Sequence, residues 1–545
     1  MRSLLCIGVI APLLTGAAFA QPTSRVARPP NIVLILADDM GYSDPGYMGG
    51  EAATPNLDRL ARDGVTFLNC FNNAKCAPSR AALMTGMNAV RVKAFRSKGN
   101  IRDNHAASMA EVLGARGYVT ILAGKWHIAP DPWEVGFQHQ FGSQITPYYF
   151  RPGPAGKRGG LMRNGQPVDH AALPDDWYST IAYTDFAMES IREAALPVQK
   201  PFFLFLSYHA PHAPLSALEE DLAKYRGRYD EGTDAAAQRR YERMVEKGIV
   251  DPAIWSLPPQ EKHGSWREGN EPPRWKDFSD REKALFQRKL ELTAAMVDRM
   301  DREIGRLLAF LEETGELERT LIIFLSDNGA THEMGVYGGV DMERLTDASL
   351  AQLGLRNGPA GGTAGPVVAR VQNVPLRGYK TTLWDGGMRS SMIVHGPGVR
   401  AASNGFVRTP VDIIDLAPTF YEVAGAEYPA TIGTRSLLPM DGVSLVPLLK
   451  GEPLPSRELF HAYKEDHVVR NERWKLFGRY NQRKQDHRWQ LFDLQADPAE
   501  LKDVADRHPD VVSSLAAQWQ AWNLKHGVIA GYQAYRAGKE DRDEE

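Results

Sequence analysis

The sequence predicts an α/β fold, with a large mixed, mostly parallel sheet sandwiched by helices and a smaller C-terminal subdomain. One observation is a set of continuous apolar runs, which are typical of parallel strands buried on both faces. A second is a change of pattern near the C-terminus, where short segments indicate antiparallel strands followed by a helix. The apolar runs occupy residues 31–36, 118–123, 201–206 and 321–325.

The composition is that of a large globular protein. The chain has 545 residues, of which 43% are hydrophobic and 24% are charged, so it has ample material for two or more domains. Its formal net charge is −3, which leaves no basic excess to cover the phosphates of a nucleic acid. We therefore expect no nucleic-acid partner.

The N-terminus has the pattern of a secretory leader. Arg2 precedes an apolar run, and an A-x-A cleavage site ends at Ala20, so residues 1–20 are predicted to be a signal peptide. The apolar run is too short to span a bilayer, and no later stretch is apolar enough to do so. We expect an exported protein, periplasmic or secreted, without a membrane span.

The first apolar run ends in two adjacent carboxylates, Asp38 and Asp39. In doubly wound α/β sheets the functional site lies beyond the carboxyl ends of the strands. Carboxylate oxygens suit a hard divalent cation such as Ca²⁺ or Mg²⁺. A turn or a helix cap is the alternative role for this pair.

Cys76 is predicted to lie at or just before a helix N-terminus, because Pro78 and the small residues after it favour a first helical turn. Free backbone N–H groups and the helix dipole favour an anion there, so we expect a depressed thiol pKa. Arg80 is expected on the same helix face, one turn deeper. The alternative is a buried structural cysteine. Leader cleavage would leave Cys70 and Cys76, too few for a disulfide framework, and we do not expect them to pair.

Basic side chains follow the second and third runs. Lys125 and His127 flank a tryptophan, where they form either a surface turn or an anion-binding cation with an acid/base. The third run leads to His209 and His212. Lys380 lies much later in the chain, and its immediate sequence alone predicts only a solvated lysine.

The fourth run ends in Asp327 and Asn328, so an acidic residue and an amide again follow a buried strand. This is the strongest signal apart from the cysteine. The segments around the runs are predicted to be a surface excursion at 136–176, helical insertions beside a cleft at 215–288, a helix at 291–314, a glycine-rich cleft loop at 334–374 and a core helix at 412–423.

A Pro/Gly-rich segment divides the chain into two predicted domains. A catalytic domain covers residues 29–435, and the C-terminal subdomain covers residues 455–530 with a helix at about 510–524. Residues 537–545 are predicted to be a flexible charged tail.

The stretch from Cys76 to Arg80 resembles the C-x-P-x-R signature of the sulfatase family, and Thr-Gly follows it as in that family. The chain looks most similar to the bacterial arylsulfatases, which segments 224–230 and 294–301 resemble in particular. The resemblance implies an alkaline-phosphatase-like fold with a small C-terminal subdomain, and a sulfuric ester hydrolase activity. Other stretches that match the family in order are 38–39, 117–127, 210–214, 326–329 and 380–387.

The resemblance also implies a chemistry. A formylglycine-generating maturation enzyme would oxidise Cys76 to an aldehyde, whose hydrate would be the nucleophile. One divalent cation, with Ca²⁺ favoured and Mg²⁺ as the alternative, would be held by residue 76 and by the oxygens of Asp38, Asp39, Asp327 and Asn328. The other implied roles are sulfate binding by Lys125 and Lys380, protonation of the leaving group by His212, proton abstraction by His127 and support of residue 76 by Arg80.

The implied substrate is a small-molecule or carbohydrate sulfate ester, and aryl sulfates are the expected test substrates. Two other functions stay open at this point. One is a phosphonate or phosphodiester hydrolase of the same superfamily, which can share the C-x-P-x-R signature. The other is a sulfated-glycan binding protein whose Cys76 is never matured.

Overall fold

The computed structural model describes residues 28–94, 100–145, 148–151, 160–260, 273–400, 405–481 and 486–526. The predicted leader and the predicted charged tail lie outside these residues. Among the described helices, none combines the length and the apolar character needed to cross a membrane.

The main sheet has 11 strands in the order β10-β2-β9-β8-β1-β7-β3-β4-β5-β6, with β11 also paired to β2. Its central pairs are parallel, and antiparallel pairs flank them. The predicted mixed, mostly parallel sheet is therefore confirmed. The strands are β1 (Asn31–Ala37), β2 (Val65–Phe71), β3 (Val119–Gly124), β4 (His139–Gly142), β5 (Met162–Arg163), β6 (Gln166–Pro167), β7 (Phe202–Ser207), β8 (Thr320–Ser326), β9 (Arg389–His395), β10 (Phe406–Val407) and β11 (Val411–Asp412).

The register of the central strands brings their carboxyl ends to one edge. Ala37 at the end of β1 lies opposite Ser326 at the end of β8. On the other side of β1, Leu36 pairs with Ser207 of β7, and Ser207 also pairs with Gly124 of β3. The segments that follow these four strands therefore leave the sheet side by side.

Helices cover both faces of this sheet. Alternate residues of β1 divide between two cores: Val33 and Ile35 pack on the side of α4 and α7, whereas Ile32 and Leu34 pack on the side of α2, α3 and α11. This division explains why the strand sequences are continuously apolar. The helices are α1 (Pro55–Asp63), α2 (Cys76–Thr85), α3 (Met109–Ala115), α4 (Ser179–Ser190), α5 (Glu219–Leu222), α6 (Thr233–Glu246), α7 (Asp280–Glu313), α8 (Asp347–Ala351), α9 (Gly365–Gln372), α10 (Asp385–Met388), α11 (Leu416–Ala424), α12 (Val446–Leu449) and α13 (Pro509–His526).

Four expectations about individual elements differ from the structure. The predicted glycine-rich loop at 334–374 contains the helices α8 and α9. The predicted excursion at 136–176 contains β4, which pairs in parallel with β3. Helix α7 is 34 residues long and begins earlier than predicted, because Ser279 and Glu282 form a capping box ahead of a polar first turn. The predicted core helix at 412–423 begins later as α11, since Val411–Asp412 pairs with β2 instead.

The C-terminal unit is a four-stranded antiparallel sheet with one helix against it, as predicted. Its strands are β14 (Leu459–Tyr463), β15 (Asp466–Arg470), β16 (Trp474–Asn481) and β17 (Asp486–Asp493), after a small β12–β13 hairpin (Thr431–Ile432 and Arg435–Ser436). Trp519 of α13 stacks on His467 with ring centroids 4.6 Å apart. On the side of the main domain, Trp384 stacks on Phe477 at 4.4 Å.

Candidate active site

The side chains named from the sequence converge at the carboxyl edge of the main sheet. Potential ligand atoms of Asp38, Asp39, Cys76 and His212 all lie within 4.8 Å of one another. Asp38 and Asp39 follow β1, and His212 lies on the loop after β7. Cys76 reaches the same point because α2 starts there. Three parts of the chain that are distant in sequence thus meet at one site.

Cys76 is the first residue of α2, as predicted, and Lys75 before it is extended. The expectation of a depressed thiol pKa is wrong. Burial raises the pKa of the Cys76 thiol to about 12, and Asp38 raises it further, although Lys125 and Lys380 act in the opposite direction. Desolvation of the buried thiolate is the largest cause of this shift, ahead of the two lysines that favour the charged form.

Arg80 organises the base of the site from one turn further along α2. Its Nε donates to Asp327 Oδ2 at 2.8 Å, and its Nη1 donates to Ser207 Oγ at 2.6 Å and to the Lys125 carbonyl at 3.0 Å. Nη2 is buried and has no hydrogen-bond partner among the described residues. This guanidinium therefore holds three strand ends together, and its Nη2 lies 3.7 Å from Asp38 Oδ2, farther than a hydrogen bond.

The two carboxylates after β1 each face a buried lysine. Lys125 Nζ donates to Asp38 Oδ2 at 2.5 Å, and Lys380 Nζ lies 2.7 Å from Asp39 Oδ1. Burial alone would raise the pKa of Asp38, but Lys125 and the other cations around it hold that pKa well below its usual value. Asp39 has a φ of 61°, a left-handed backbone conformation that turns its side chain into the site.

Asp327 and Asn328 complete the set from the end of β8. The Asp327 N–H donates to the Ala37 carbonyl at 3.1 Å, which ties β8 to the end of β1. Burial, together with the nearby Asp38, raises the pKa of Asp327 to about 7. Asn328 donates from Nδ2 to Asp39 Oδ1 at 2.7 Å.

This donor set fits a cation with oxygen ligands. Asp38 Oδ1 and Asn328 Oδ1 are both buried, and neither has a hydrogen-bond partner among the described residues. A buried acceptor without a partner is costly, and a hard cation satisfies such oxygens. The predicted ligand Asp327 lies outside the tight four-residue set, with its Oδ2 against Arg80.

Lys125 and His127 follow β3, where the structure excludes a plain surface turn for the lysine. Lys125 is 1% exposed, and its N–H donates to the Ser207 carbonyl at 2.8 Å. His127 has a φ of 60°, and its Nδ1 is buried without a hydrogen-bond partner in the described residues. Burial and the neighbouring cations hold the pKa of His127 well below its usual value, so the ring is neutral at pH 7.

His212 enters the site from the turn after β7. Its Nδ1 lies 2.6 Å from the Ala213 carbonyl, and its Nε2 lies 3.6 Å from Asp39 Oδ2. Tyr149, whose phenol donates to the carbonyls of His209 and His212 at 2.7 and 2.6 Å, fixes this turn. Burial lowers the pKa of His212, although Asp39 opposes that shift.

Sequence reasoning missed two residues of this site. Ser207 ends β7 and holds Arg80, and the same pattern of a polar residue after a buried strand could have identified it. Glu333 lies near Lys380, with 3.8 Å between its Oε2 and the ammonium nitrogen. No local pattern identifies Glu333, because it lies in an irregular loop and neither directly follows a strand nor begins a helix.

Comparison with known proteins identifies relatives over most of the chain. The sequence model of the sulfatase family matches residues 30–426, and a model described as N-sulphoglucosamine sulphohydrolase, C-terminal, matches residues 379–523. An arylsulfatase of Klebsiella aerogenes is 31% identical, over 80% of this chain and 94% of its own length. An uncharacterized sulfatase of Schizosaccharomyces pombe is 28% identical, over 92% of this chain and 95% of its own length.

A solved structure agrees with these relatives. The crystal structure of Ps i-CgsB in complex with k-i-k-neocarrahexaose has a TM-score of 0.63 and 25% identity, and the match covers 91% of this chain and 93% of that one. The similarity confirms the expected alkaline-phosphatase-like fold.

Proposed function

Because the chain belongs to the sulfatase family, we propose that it is an exported enzyme that hydrolyses sulfate monoesters to an alcohol or phenol and inorganic sulfate. The observation that carries this proposal is the ring of buried cations around Cys76. Lys125, Lys380 and Arg80 are each at most 2% exposed and can face one tetrahedral anion. The 31% identity to an arylsulfatase supports aryl sulfates as test substrates.

Two groups would complete the site. Converted to formylglycine, residue 76 would supply a hydrated aldehyde with one hydroxyl to attack sulfur and a second to release sulfate afterwards. A divalent cation, which the oxygens of Asp38, Asp39, Asp327 and Asn328 would hold, would supply positive charge against the substrate anion.

The basic residues would bind and orient the sulfate group. Lys125 and Lys380 lie against neighbouring carboxylates, so their ammonium groups flank the position beside Cys76 from two sides. Arg80 would direct its Nη2, which makes no hydrogen bond within the described residues, toward an oxygen of residue 76. These fixed charges would offset the charge that builds up on the sulfate oxygens in the transition state.

The two histidines would move protons at opposite ends of the reaction. His212 would protonate the departing oxygen from Nε2 in its imidazolium form, in which Nδ1–H donates to the Ala213 carbonyl. Asp39, 3.6 Å from Nε2, favours that charged form against the effect of burial. His127 would take the proton from the second hydroxyl of residue 76, and its neutral ring at pH 7 is the form that can accept it.

The decisive experiment is peptide mass spectrometry of residue 76 combined with turnover of an aryl sulfate. Trypsin cleaves after Lys75 and Arg80 and so isolates the five residues of interest. Protein from a host that contains the maturation enzyme should carry an aldehyde at residue 76, and its activity should follow the modified fraction. Active protein with an unmodified thiol would refute the mechanism.

A matched pair of variants separates the role of Cys76 from a general effect of losing a cysteine. Cys76→Ala should abolish turnover, whereas Cys70→Ala, at the other buried cysteine, should retain both turnover and the aldehyde at residue 76. Faster turnover of a phosphodiester than of the aryl sulfate would instead indicate the phosphonate or phosphodiester hydrolase. Ligand binding without turnover, with an unmodified Cys76, would indicate a binding protein.

Export is part of the proposal. We expect cleavage after Ala20, so that the mature chain begins at Gln21. N-terminal sequencing of the protein from the periplasm or medium tests this, and an intact N-terminus on the active protein would contradict it.

A further inference from the structure

Glu333 lies where the buried charge cluster meets solvent, and the roles given above do not use it. Its Oε2 is 3.8 Å from Lys380 Nζ, and its Oε1 is 3.9 Å from Lys75 Nζ. The Glu333 side chain is 40% exposed, whereas that of Lys380 is 3% exposed. The carboxylate therefore stands on the solvent side of a lysine that faces the reacting centre.

The loop holds Glu333 in this position. Its backbone N–H donates to Thr331 Oγ1 at 3.3 Å, and its carbonyl accepts from Thr363 Oγ1 at 2.6 Å. The Thr331 hydroxyl also lies 3.3 Å from the Glu333 carboxylate. Hydrogen bonds within the loop thus hold the carboxylate beside the site.

A purely structural role explains this placement poorly. Both lysine distances are longer than a hydrogen bond, and half-exposed ion pairs of this kind contribute little to stability. Lys380 is already anchored by two contacts to Asp39, at 2.7 and 2.9 Å. The electrostatic field that Glu333 produces at the mouth of the site is therefore a larger effect than its contribution to stability.

We propose that Glu333 is a specificity-determining residue that selects sulfate esters by the charge of the leaving group. This inference rests on the proposed sulfatase function. Neutral or cationic leaving groups would pass Glu333 without penalty. A leaving group with a further carboxylate or sulfate would meet a like charge at the mouth, which disfavours its binding.

The test compares two substrates that differ by one charge: the sulfate ester of 4-hydroxybenzoate and that of its methyl ester. In matured full-length enzyme, Glu333→Gln should raise kcat/KM for the carboxylate relative to the methyl ester by about fivefold or more, mainly through KM. Glu333→Lys should increase this ratio further, and high salt should reduce the effect. Glu343→Gln, an exposed glutamate later on the same loop, is the matched control and should leave the ratio unchanged.

The outcomes are distinct. An unchanged ratio in both Glu333 variants overturns the inference, and so does an equal fall in kcat/KM for both substrates, which would indicate a structural role. A matured wild-type enzyme that hydrolyses neither ester refutes the aryl sulfate part of the proposed function and, with it, this inference.

Discussion

Replacing Asp385 by Asn should strongly destabilise the junction between the main sheet and the C-terminal subdomain. Asp385 is 1% exposed, and its Oδ1 accepts from Arg470 at 2.9 Å and from Lys475 at 2.8 Å. Its Oδ2 lies 3.4 Å from Arg389 Nη1. Arg470 and Lys475 belong to β15 and β16, so this one carboxylate joins the two units.

The expected cost follows from the charges left behind. The variant keeps the shape of the side chain but removes the negative charge that three buried cations face. Breaking a buried ion pair lowers the free energy of unfolding by about 3–5 kcal/mol. Burial alone would raise the pKa of Asp385, yet the three cations hold it well below its usual value. A depressed carboxyl pKa adds stability above the unfolded pKa of about 4, and this is lost only as the pH falls further.

Urea unfolding at pH 7 measures this difference. The matched control is Glu189→Gln, which removes a carboxylate 2.7 Å from Arg163 on the surface, where both side chains are at least 41% exposed. That change should cost about 0–1 kcal/mol. The gap between the two variants should persist from pH 5 to pH 8, and a loss at Asp385 as small as the control's would refute the reasoning.

Three further predictions concern two other buried side chains and the proposed cation. Asp301→Ala should lower the free energy of unfolding, measured in urea, by about 1–3 kcal/mol, because Asp301 Oδ1 accepts from the Leu57 N–H at 2.8 Å at the start of α1. The control is Glu312→Ala at an exposed glutamate, and an equally small effect of both variants would contradict the prediction. Burial lowers the pKa of Lys289 to about 7, so the unfolded chain binds more protons between that pH and about 10.5 and stability rises with pH there. Lys289→Met should reduce this rise by about 3 kcal/mol between pH 7 and 9.5, and parallel pH curves would disprove it. Chelation should abolish aryl sulfate turnover and Ca²⁺ should restore it, whereas unchanged activity after exhaustive chelation would exclude a required cation.

The candidate site was largely predictable because its residues follow strands or begin a helix. Asp38 and Asp327 each end a continuous apolar run, and parallel strands must bring such ends to one edge. The helix start at Cys76 follows from local preferences around Pro78. In each case the informative neighbours are adjacent in the chain.

Other features depend on contacts that no local pattern encodes. β9 was not predicted, because only a few of its residues are apolar and its place between β2 and β8 comes from antiparallel pairing with both. Asp385 is only five residues after Lys380, in the same stretch that resembles the family. Asp385 nevertheless faces the C-terminal sheet, whereas Lys380 faces the site.

The sequence by itself determined the four central strands, the helix that begins at Cys76 and most of the residues that meet at the strand ends, since these follow from periodicity and local preference. The tertiary structure alone decided the electrostatics. Asp39 and Asp327 are 288 residues apart and hydrogen-bonded, and Cys76 acquires a raised pKa where a helix N-terminus predicts a lowered one. Burial and the positions of distant charges determine such properties, and both exist only once the chain has folded.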